Sequence, residues 1–441
     1  MTVMKFPEKK QSSSDLLKQM QSFQDSDVNW REGRNSSLVY FIGDESTKLI
    51  SDAYTMYAST NGLSPLSFPS LKKFESEVVA MSKGLLNGDD YVVGNMTSGG
   101  TESILMALKT AREWARAEKP HITNPEIILP NTIHPAFNKS ASYLSLKTVI
   151  IPVGDDFRAN LEATKNAINE NTILIVGSAP AYPQGVIDPI NELASLAKDN
   201  GILMHVDACL GGFLLPFVKK LGYDIPDFDF NVDGVTSISA DIHKYGYGPR
   251  GTSVVLYKNA ELRQYQYFSY TDWPGGLYGS PTMTGSRPGG AIAAAWAIMN
   301  YLGEEGYLEL AKKVMNTTNK MIEGINNIQE LHVLGKPNMS VFSYTSDTLD
   351  IYSIGEEMTK RGWSLDRQQL PSSLHMMVTP AHEKVVDKFL EDLKASVEET
   401  KNNPKEPEGM AAMYGAMASL PDRSMISGFI TSFLDSLTTL E

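Results

Sequence analysis

From Tyr91 onward the apolar positions come in short runs, each closed by a glycine-rich or polar turn and followed by a stretch with helical spacing. The runs are Tyr91–Met96, Glu126–Leu129, Thr148–Val153, Ile173–Ser178, Ile202–Val206, Val235–Ser239 and Thr252–Tyr257. Their nearly continuous apolar character predicts strands buried on both faces. Helical patterns fill most of the gaps, the clearest running from Glu102 to about Glu118. Strand alternating with helix predicts an α/β fold built on a mainly parallel sheet covered on both sides. Before it, Phe74–Met81 has helical spacing, and residues 1 to about 60 read as an arm with helical parts such as Ser46–Ser59. After it, helices Ala291–Leu302 and Tyr307–Ile325 lead to a smaller α/β unit. That unit has strands near Val333 and Val341, a helix Ile351–Arg361, a strand His375–Val378 and a helix from Glu383 to about Lys401. A linker-like break at Asn402–Gly409 precedes a last helical tail, giving an arm 1–60, a large domain 61–305 and a small C-terminal domain with its tail, 306–441.

At 441 residues there is ample chain for two cores. The formal charge of -13 changes the picture more, because a duplex nucleic-acid binder or a protein riding on anionic lipid needs a positive footprint. A small-molecule partner is expected instead. Cys209 is the single cysteine, which excludes an intrachain disulfide and fits a reducing, cytoplasmic compartment. The polar N-terminal region lacks the apolar core of a signal peptide, and no stretch reaches the length of a membrane span. No HExxH, EF-hand or Cys/His spacing points to a metal, and a G-x-S-x-G elbow is missing.

The candidate chemistry centres on Lys244. It follows His243 directly after the short strand Val235–Ser239, and a loop with three glycines and a proline separates it from the next strand. Desolvation there is expected to lower its pKa toward neutrality and make the amine a nucleophile toward an aldehyde, although an ordinary loop lysine reads the same locally. Gly99-Gly100-Thr101 lies between a strand and a helix, where free N–H groups and the Thr101 hydroxyl suit a phosphate; a plain tight turn is the alternative. Asp207 ends the strand Ile202–Val206, where a carboxylate could keep a pyridine nitrogen protonated or cap a helix. His134 could lie flat on a cofactor ring, and His243 could meet a phosphate, though each could equally be structural. Gly285-Ser286-Arg287-Pro288-Gly289-Gly290 is a second glycine-rich loop before a helix, an anion site or a turn. Phosphate loop, stacking histidine, aspartate and His-Lys, in that order, are what a pyridoxal-phosphate site needs.

With these residues in hand, the sequence resembles the sphingosine-1-phosphate lyases, among the fold-type-I pyridoxal-phosphate enzymes that also hold the group II amino-acid decarboxylases. The likeness is carried by Thr97–Ser103, His205–Phe213, Ser237–Gly251, Thr271-Asp272-Trp273 and Gly285–Gly290, and runs from about Tyr40 to Leu437. It implies a fold-type-I architecture and pyridoxal 5'-phosphate held covalently by Lys244. By the same resemblance Asp207 would hold the pyridinium, His134 would stack on the ring, and Gly100, Thr101 and His243 would bind the cofactor phosphate. Ser286 would reach that phosphate from a partner subunit, which implies a homodimer. Tyr40, Tyr182, Arg250 and Tyr414 match positions near the substrate phosphate and the reacting carbon, with Tyr182 and Lys244 as proton handlers.

Two departures bear on the substrate. Where the family usually reads Asn-Pro-Leu-His-Pro-Asp this chain has Asn61-Gly62-Leu63-Ser64-Pro65-Leu66, so Ser64 replaces a phosphate-binding histidine. The family's lysine after Ala-Pro is Arg250, which keeps the charge and changes its shape. The membrane anchor of the eukaryotic members has no counterpart. The resemblance implies a C–C lyase cleaving a phosphorylated amino alcohol such as sphingosine 1-phosphate to a long-chain aldehyde and ethanolamine phosphate. The runner-up is an amino-acid decarboxylase, against which stands the lack of an arginine in Leu374–Thr379. A non-catalytic cofactor-fold scaffold is a third reading, disfavoured by the intact Lys244 and Asp207.

Overall fold

The computed structural model describes residues 6–404, 412–415 and 423–438. Its centre is a seven-stranded sheet of β1 (Val93–Thr97), β2 (Glu126–Pro130), β3 (Lys147–Ile151), β4 (Thr172–Ser178), β5 (Leu203–Asp207), β6 (Ser237–Ala240) and β7 (Ser253–Tyr257), in the order β1-β7-β6-β5-β4-β2-β3. Strands β2 to β6 pair in parallel, whereas β7 runs antiparallel to both β6 and β1. A short loop rather than a helix joins β6 to β7, and that connection can only reverse the chain. The Lys244 loop is this connection.

Alternation along the strands feeds two cores. Ile127 and Leu129 face Ile104, Leu108, Phe137 and Ala141 of the helices Gly100–Glu118 and Ala136–Leu144. Ile128, Met204, Val206, Ile238, Val254 and Leu256 face the other way, against Val78, Leu193 and Ile298 from helices on the opposite side. All seven predicted strands are present within a few residues of their expected limits.

Helix Gly289–Asn326 leads out of this layer and is broken at Gly303 (φ 54°), so the two expected helices meet at a left-handed residue. Beyond it lies an antiparallel sheet of four strands, β10 (His332–Val333), β11 (Val341–Thr345), β12 (Asp366–Gln369) and β13 (Ser372–Met377), in the order β10-β11-β13-β12. Helices Ile351–Lys360 and Val386–Asn402 close its core around Trp363, Phe342 and Phe389. Two elements escape the sequence patterns. The first, β12, reads Asp-Arg-Gln-Gln and has no apolar signal; the second is a small hairpin of β8 (Phe268–Tyr270) and β9 (Tyr278–Ser280).

The N-terminal segment is more than an arm. Residues 34–37 run beside the four-stranded sheet, with Ser364 N donating to Arg34 O, Ser36 N to Ser364 O, and Met377 N to Ser36 O. Tyr245, just after Lys244, donates its hydroxyl to Val378 O and accepts from Ser340. The large sheet, the four-stranded sheet and the N-terminal segment therefore meet where the Lys244 loop lies. The break predicted at Asn402–Gly409 falls outside the described residues beyond Pro404.

Candidate active site

The carboxyl ends of β1, β2, β4, β5 and β6 all open on one cleft with a volume of about 470 Å³. Loops leaving strands at this edge converge where the strand order reverses, which is where open α/β sheets bind ligands. Gly99, Gly100 and Thr101 come from the end of β1, His134 from β2, Tyr182 from β4, Asp207 and Cys209 from β5, and Asp241, His243 and Lys244 from β6. Arg250, Tyr40 and Met377 complete the wall.

Lys244 Nζ lies 3.0 Å from Asp241 Oδ2. Burial works against the ammonium, but the Asp241 carboxylate outweighs it and raises the pKa above the ordinary lysine value. The expectation of a lysine pushed toward neutrality is therefore reversed, because desolvation was weighed without the carboxylate three residues before it. Asp241 shows the mirror effect: burial opposes its charge, yet Lys244 and His243 hold its carboxyl below the usual range. His243 Nε2 is 3.6 Å from Asp241 Oδ2, and burial lowers the pKa of its imidazole.

Asp207 Oδ1 accepts from Cys209 N (3.1 Å) and Ser239 Oγ (3.3 Å), so its second oxygen is not used by these bonds. Ser239 in turn meets His205 Nε2 at 3.1 Å, and Ser237 meets Nδ1 at 2.8 Å. Burial pushes the His205 pKa down to about 4, leaving a neutral ring that fixes the Asp207 support. His134 accepts from Ala136 N through Nδ1 (3.1 Å) and otherwise faces the open cleft. Tyr182 donates to Asp366 Oδ2 (3.1 Å) and stacks on His375 with ring centroids 4.1 Å apart. Arg250 lies over the Tyr40 ring at 5.4 Å and donates to His243 O at 3.0 Å.

Three candidate residues do not line this cleft. Ser286 accepts from Asn61 Nδ2 at 3.1 Å and is exposed. Ser64 pairs with Ser67 at 2.9 Å. Tyr414 packs beside Tyr352 with centroids 6.0 Å apart, close enough to Tyr182 to act on its phenol. Sequence reasoning assigned no role to Asp241, Glu102, Asp366 or His375. Only Asp241 had a local signal, its i,i+3 spacing to Lys244 on a turn.

The residues present fit pyridoxal 5'-phosphate. Asp241 Oδ1 and His243 Nδ1 are buried without a partner among the described residues, the kind of orphan that a bound polar group satisfies. A Cβ on Gly100 would lie 2.8 Å from Asp241 Oδ2 and 2.9 Å from Cys209 Sγ, so only glycine lets the helix begin against this wall. An amine, a carboxylate and a glycine turn at a helix N-terminus answer an aldehyde, a pyridine nitrogen and a phosphate.

The comparisons with known proteins decide the family. The pyridoxal-dependent decarboxylase conserved domain matches residues 2–346. The sphingosine-1-phosphate lyase of Arabidopsis thaliana is 48% identical over 96% of this chain and 79% of its own length. The chain belongs to the sphingosine-1-phosphate lyase family. Sphingosine-1-phosphate lyase 1 of Rattus norvegicus is 44% identical over 97% of the chain and 75% of its own length. The structure of the Burkholderia pseudomallei sphingosine-1-phosphate lyase superposes with a TM-score of 0.92 at 39% identity, covering 100% of this chain and 98% of that one. Lactobacillus brevis glutamate decarboxylase has a TM-score of 0.79 at 19% identity over 90% of this chain and 95% of its own, a likeness of fold alone. The match to the pyridoxal-dependent domain makes pyridoxal 5'-phosphate the cofactor. No helix among the described residues is long and apolar enough to cross a membrane.

Proposed function

We propose that this protein is a pyridoxal-phosphate-dependent lyase that cleaves the C2–C3 bond of a phosphorylated sphingoid base, giving a long-chain aldehyde and ethanolamine phosphate. The observation that carries the reading is the meeting of Lys244, Asp241, Asp207 and His134 in one cleft of a chain whose relatives are sphingosine-1-phosphate lyases. Lys244 would be the covalent anchor, and Asp241, 3.0 Å from its Nζ, orients that nitrogen toward the place where the cofactor aldehyde would be met. Asp207, braced by Ser239 and Cys209, holds the pyridine nitrogen. His134 covers the ring, while Gly100, Thr101 and His243 take the cofactor phosphate. When bound, the cofactor supplies an electron sink for the carbon bearing the substrate amine.

Arg250 and Tyr40 form a cation-and-ring pair at the cleft wall that suits the substrate phosphate. Tyr182 faces the same space and handles a proton of the reacting hydroxyl. Tyr414, which acts on the Tyr182 phenol, belongs to the outer part of this site, whereas Ser64, paired with Ser67 outside the cleft, makes no contact with it in its own chain. The Ser286 hydroxyl, absent from the cleft of its own chain, serves the cofactor phosphate of a neighbouring subunit, so the working form is a homodimer. A cytoplasmic location fits the single buried cysteine. The division into 1–60, 61–305 and 306–441 is retained as part of this reading.

The test is product analysis with sphingosine 1-phosphate, comparing the purified protein with Lys244→Ala. Long-chain aldehyde and ethanolamine phosphate formed only with Lys244 present are the expected result. Carbon dioxide released from an amino acid, with no aldehyde from the sphingoid base, would turn the assignment to a decarboxylase. Arg367 of β12 bears on that alternative. Strand alternation turns it away from the side on which Asp366 meets Tyr182, and it acts on Tyr352 instead.

A further inference from the structure

Tyr182 is set into the cleft by contacts that reach far along the chain. Its ring is sandwiched against His375 at 4.1 Å, and His375 Nε2 donates to the Tyr182 carbonyl at 2.8 Å. Its hydroxyl donates to Asp366 Oδ2 at 3.1 Å, across 184 residues of sequence. Asp366 and His375 are register partners on β12 and β13, so one pair of strands delivers both groups. Asp366 is fixed in turn by its own N–H, which donates to Ser36 Oγ at 2.8 Å. It makes no ion pair with any cation among the described residues, so the Tyr182 hydroxyl is the proton that its carboxylate faces.

We propose that Asp366 is a positioning residue that acts through Tyr182 as the terminal proton acceptor of a two-member relay for the substrate hydroxyl. The inference rests on the lyase reading and adds to it the identity of the base. As the proton of the reacting hydroxyl passes to Tyr182 Oη, the phenolic proton passes to Asp366 Oδ2. The electron pair left on oxygen forms the aldehyde C=O while the C–C bond breaks, and the pair from that bond stays on the carbon bearing the amine. The relay run in reverse returns one proton to that carbon, so no proton or electron is gained or lost overall.

The surroundings favour this direction of transfer. Burial, followed by the Asp366 charge and hydrogen bond, raises the Tyr182 pKa, so the phenol is protonated at neutral pH and needs an acceptor behind it. Burial, partly offset by the bond to the Tyr182 carbonyl, pushes His375 down to about 4, so the ring stacked on Tyr182 is neutral and holds it without competing for the proton. Lys244, Tyr414 and Tyr40 are the other titratable groups that act on Tyr182.

The test has two arms on the full-length holoenzyme. In the first, 3,5-difluorotyrosine is incorporated in place of Tyr182 and its phenol is titrated by ¹⁹F NMR without substrate, with and without Asp366→Asn. Losing the neighbouring negative charge lowers the phenol pKa by about one unit or more; an unmoved titration overturns the pairing. In the second arm, Asp366→Asn, Tyr182→Phe and the double variant are assayed with sphingosine 1-phosphate across pH. Each single change lowers kcat by about 10²-fold with little change in KM. The double variant is no slower than the worse single one. Wild-type kcat in Asp366→Asn, or single losses that multiply, overturn the relay even if the first arm shows coupling. An unmodified enzyme that fails to cleave the substrate overturns the lyase reading, and the relay's catalytic role with it. The NMR arm reports the Asp366–Tyr182 pairing in either case.

Discussion

Lys244 Nζ and Asp241 Oδ2, 3.0 Å apart and mostly withdrawn from water, hold each other in their charged forms. The folded pKa of Asp241 lies below its ordinary 3.8, so its share of stability is present above that value and is lost as pH falls through the folded pKa. The folded pKa of Lys244 lies above its ordinary 10.5, so its share is complete below that value and is lost as pH rises through the folded pKa. The pair therefore stabilises across the neutral range. With the cofactor removed, Asp241→Asn should cost about 3 kcal/mol at pH 7, because it leaves a buried ammonium without its partner. The measurement is denaturant unfolding of the stripped protein at several pH values, and a cost that does not shrink as pH falls through the folded pKa of Asp241 would show that charge is not its source. The residues nearest this pair illustrate what the sequence makes legible. Asp207 ends its strand and His134, Tyr182 and Lys244 sit just past theirs, so locating the strands locates them in the cleft. Asp366 and His375 could not be found that way, since their meaning lies in contacts with Tyr182 that span 184 and 193 residues.

At the scale of elements, apolar runs made the seven large strands readable, because the inner ones bury both faces; β3, at the sheet edge, does not, and leaves Ile150 half exposed. β12 stayed invisible because its residues are partly exposed and polar, and its place is fixed by pairing with β13 and by Ser36. Glu102 is another case. It is buried in the first turn of helix Gly100–Glu118, where its Oε2 accepts from Ser98 N (2.6 Å) and its Oε1 from Met283 N (2.8 Å) and Thr284 N (3.2 Å). One carboxylate thus ties the phosphate-turn candidate to the loop that carries Ser286. Glu102→Gln presents an NH₂ group to at least one of these N–H donors, and a buried donor left unpaired costs about 1–3 kcal/mol. Hydrogen exchange should quicken at the amides of Ser98, Met283 and Thr284 while helix Val386–Asn402 stays protected. Equal loosening of both regions would mean that Glu102 serves global stability rather than this joint.

For the whole molecule, the loop beyond β7 raises the question of what covers it. Hairpin β8–β9 is two short strands, too small to be stable unsupported. It exposes Phe268 (55%), Trp273 (53%) and Leu277 (86%), with Met283 (64%) just beyond. Exposed apolar side chains on one short hairpin suit an interaction surface. Ser286 follows three residues after Met283, is exposed, and does not line its own cleft. If the partner is a second copy, Trp273→Asp should weaken self-association by about 30-fold or more, the effect of losing one aromatic anchor worth about 2 kcal/mol. Sedimentation velocity over a dilution series reads that shift, and absorbance of the bound cofactor is followed on the same samples. On the proposed reading that Ser286 serves a neighbouring cleft, the dissociated chain should also release cofactor. A Trp273→Asp protein that is monomeric yet retains cofactor as firmly as the unmodified one would remove Ser286 from the site while leaving the dimer surface in place. An unchanged dimer would instead move the interface away from the hairpin.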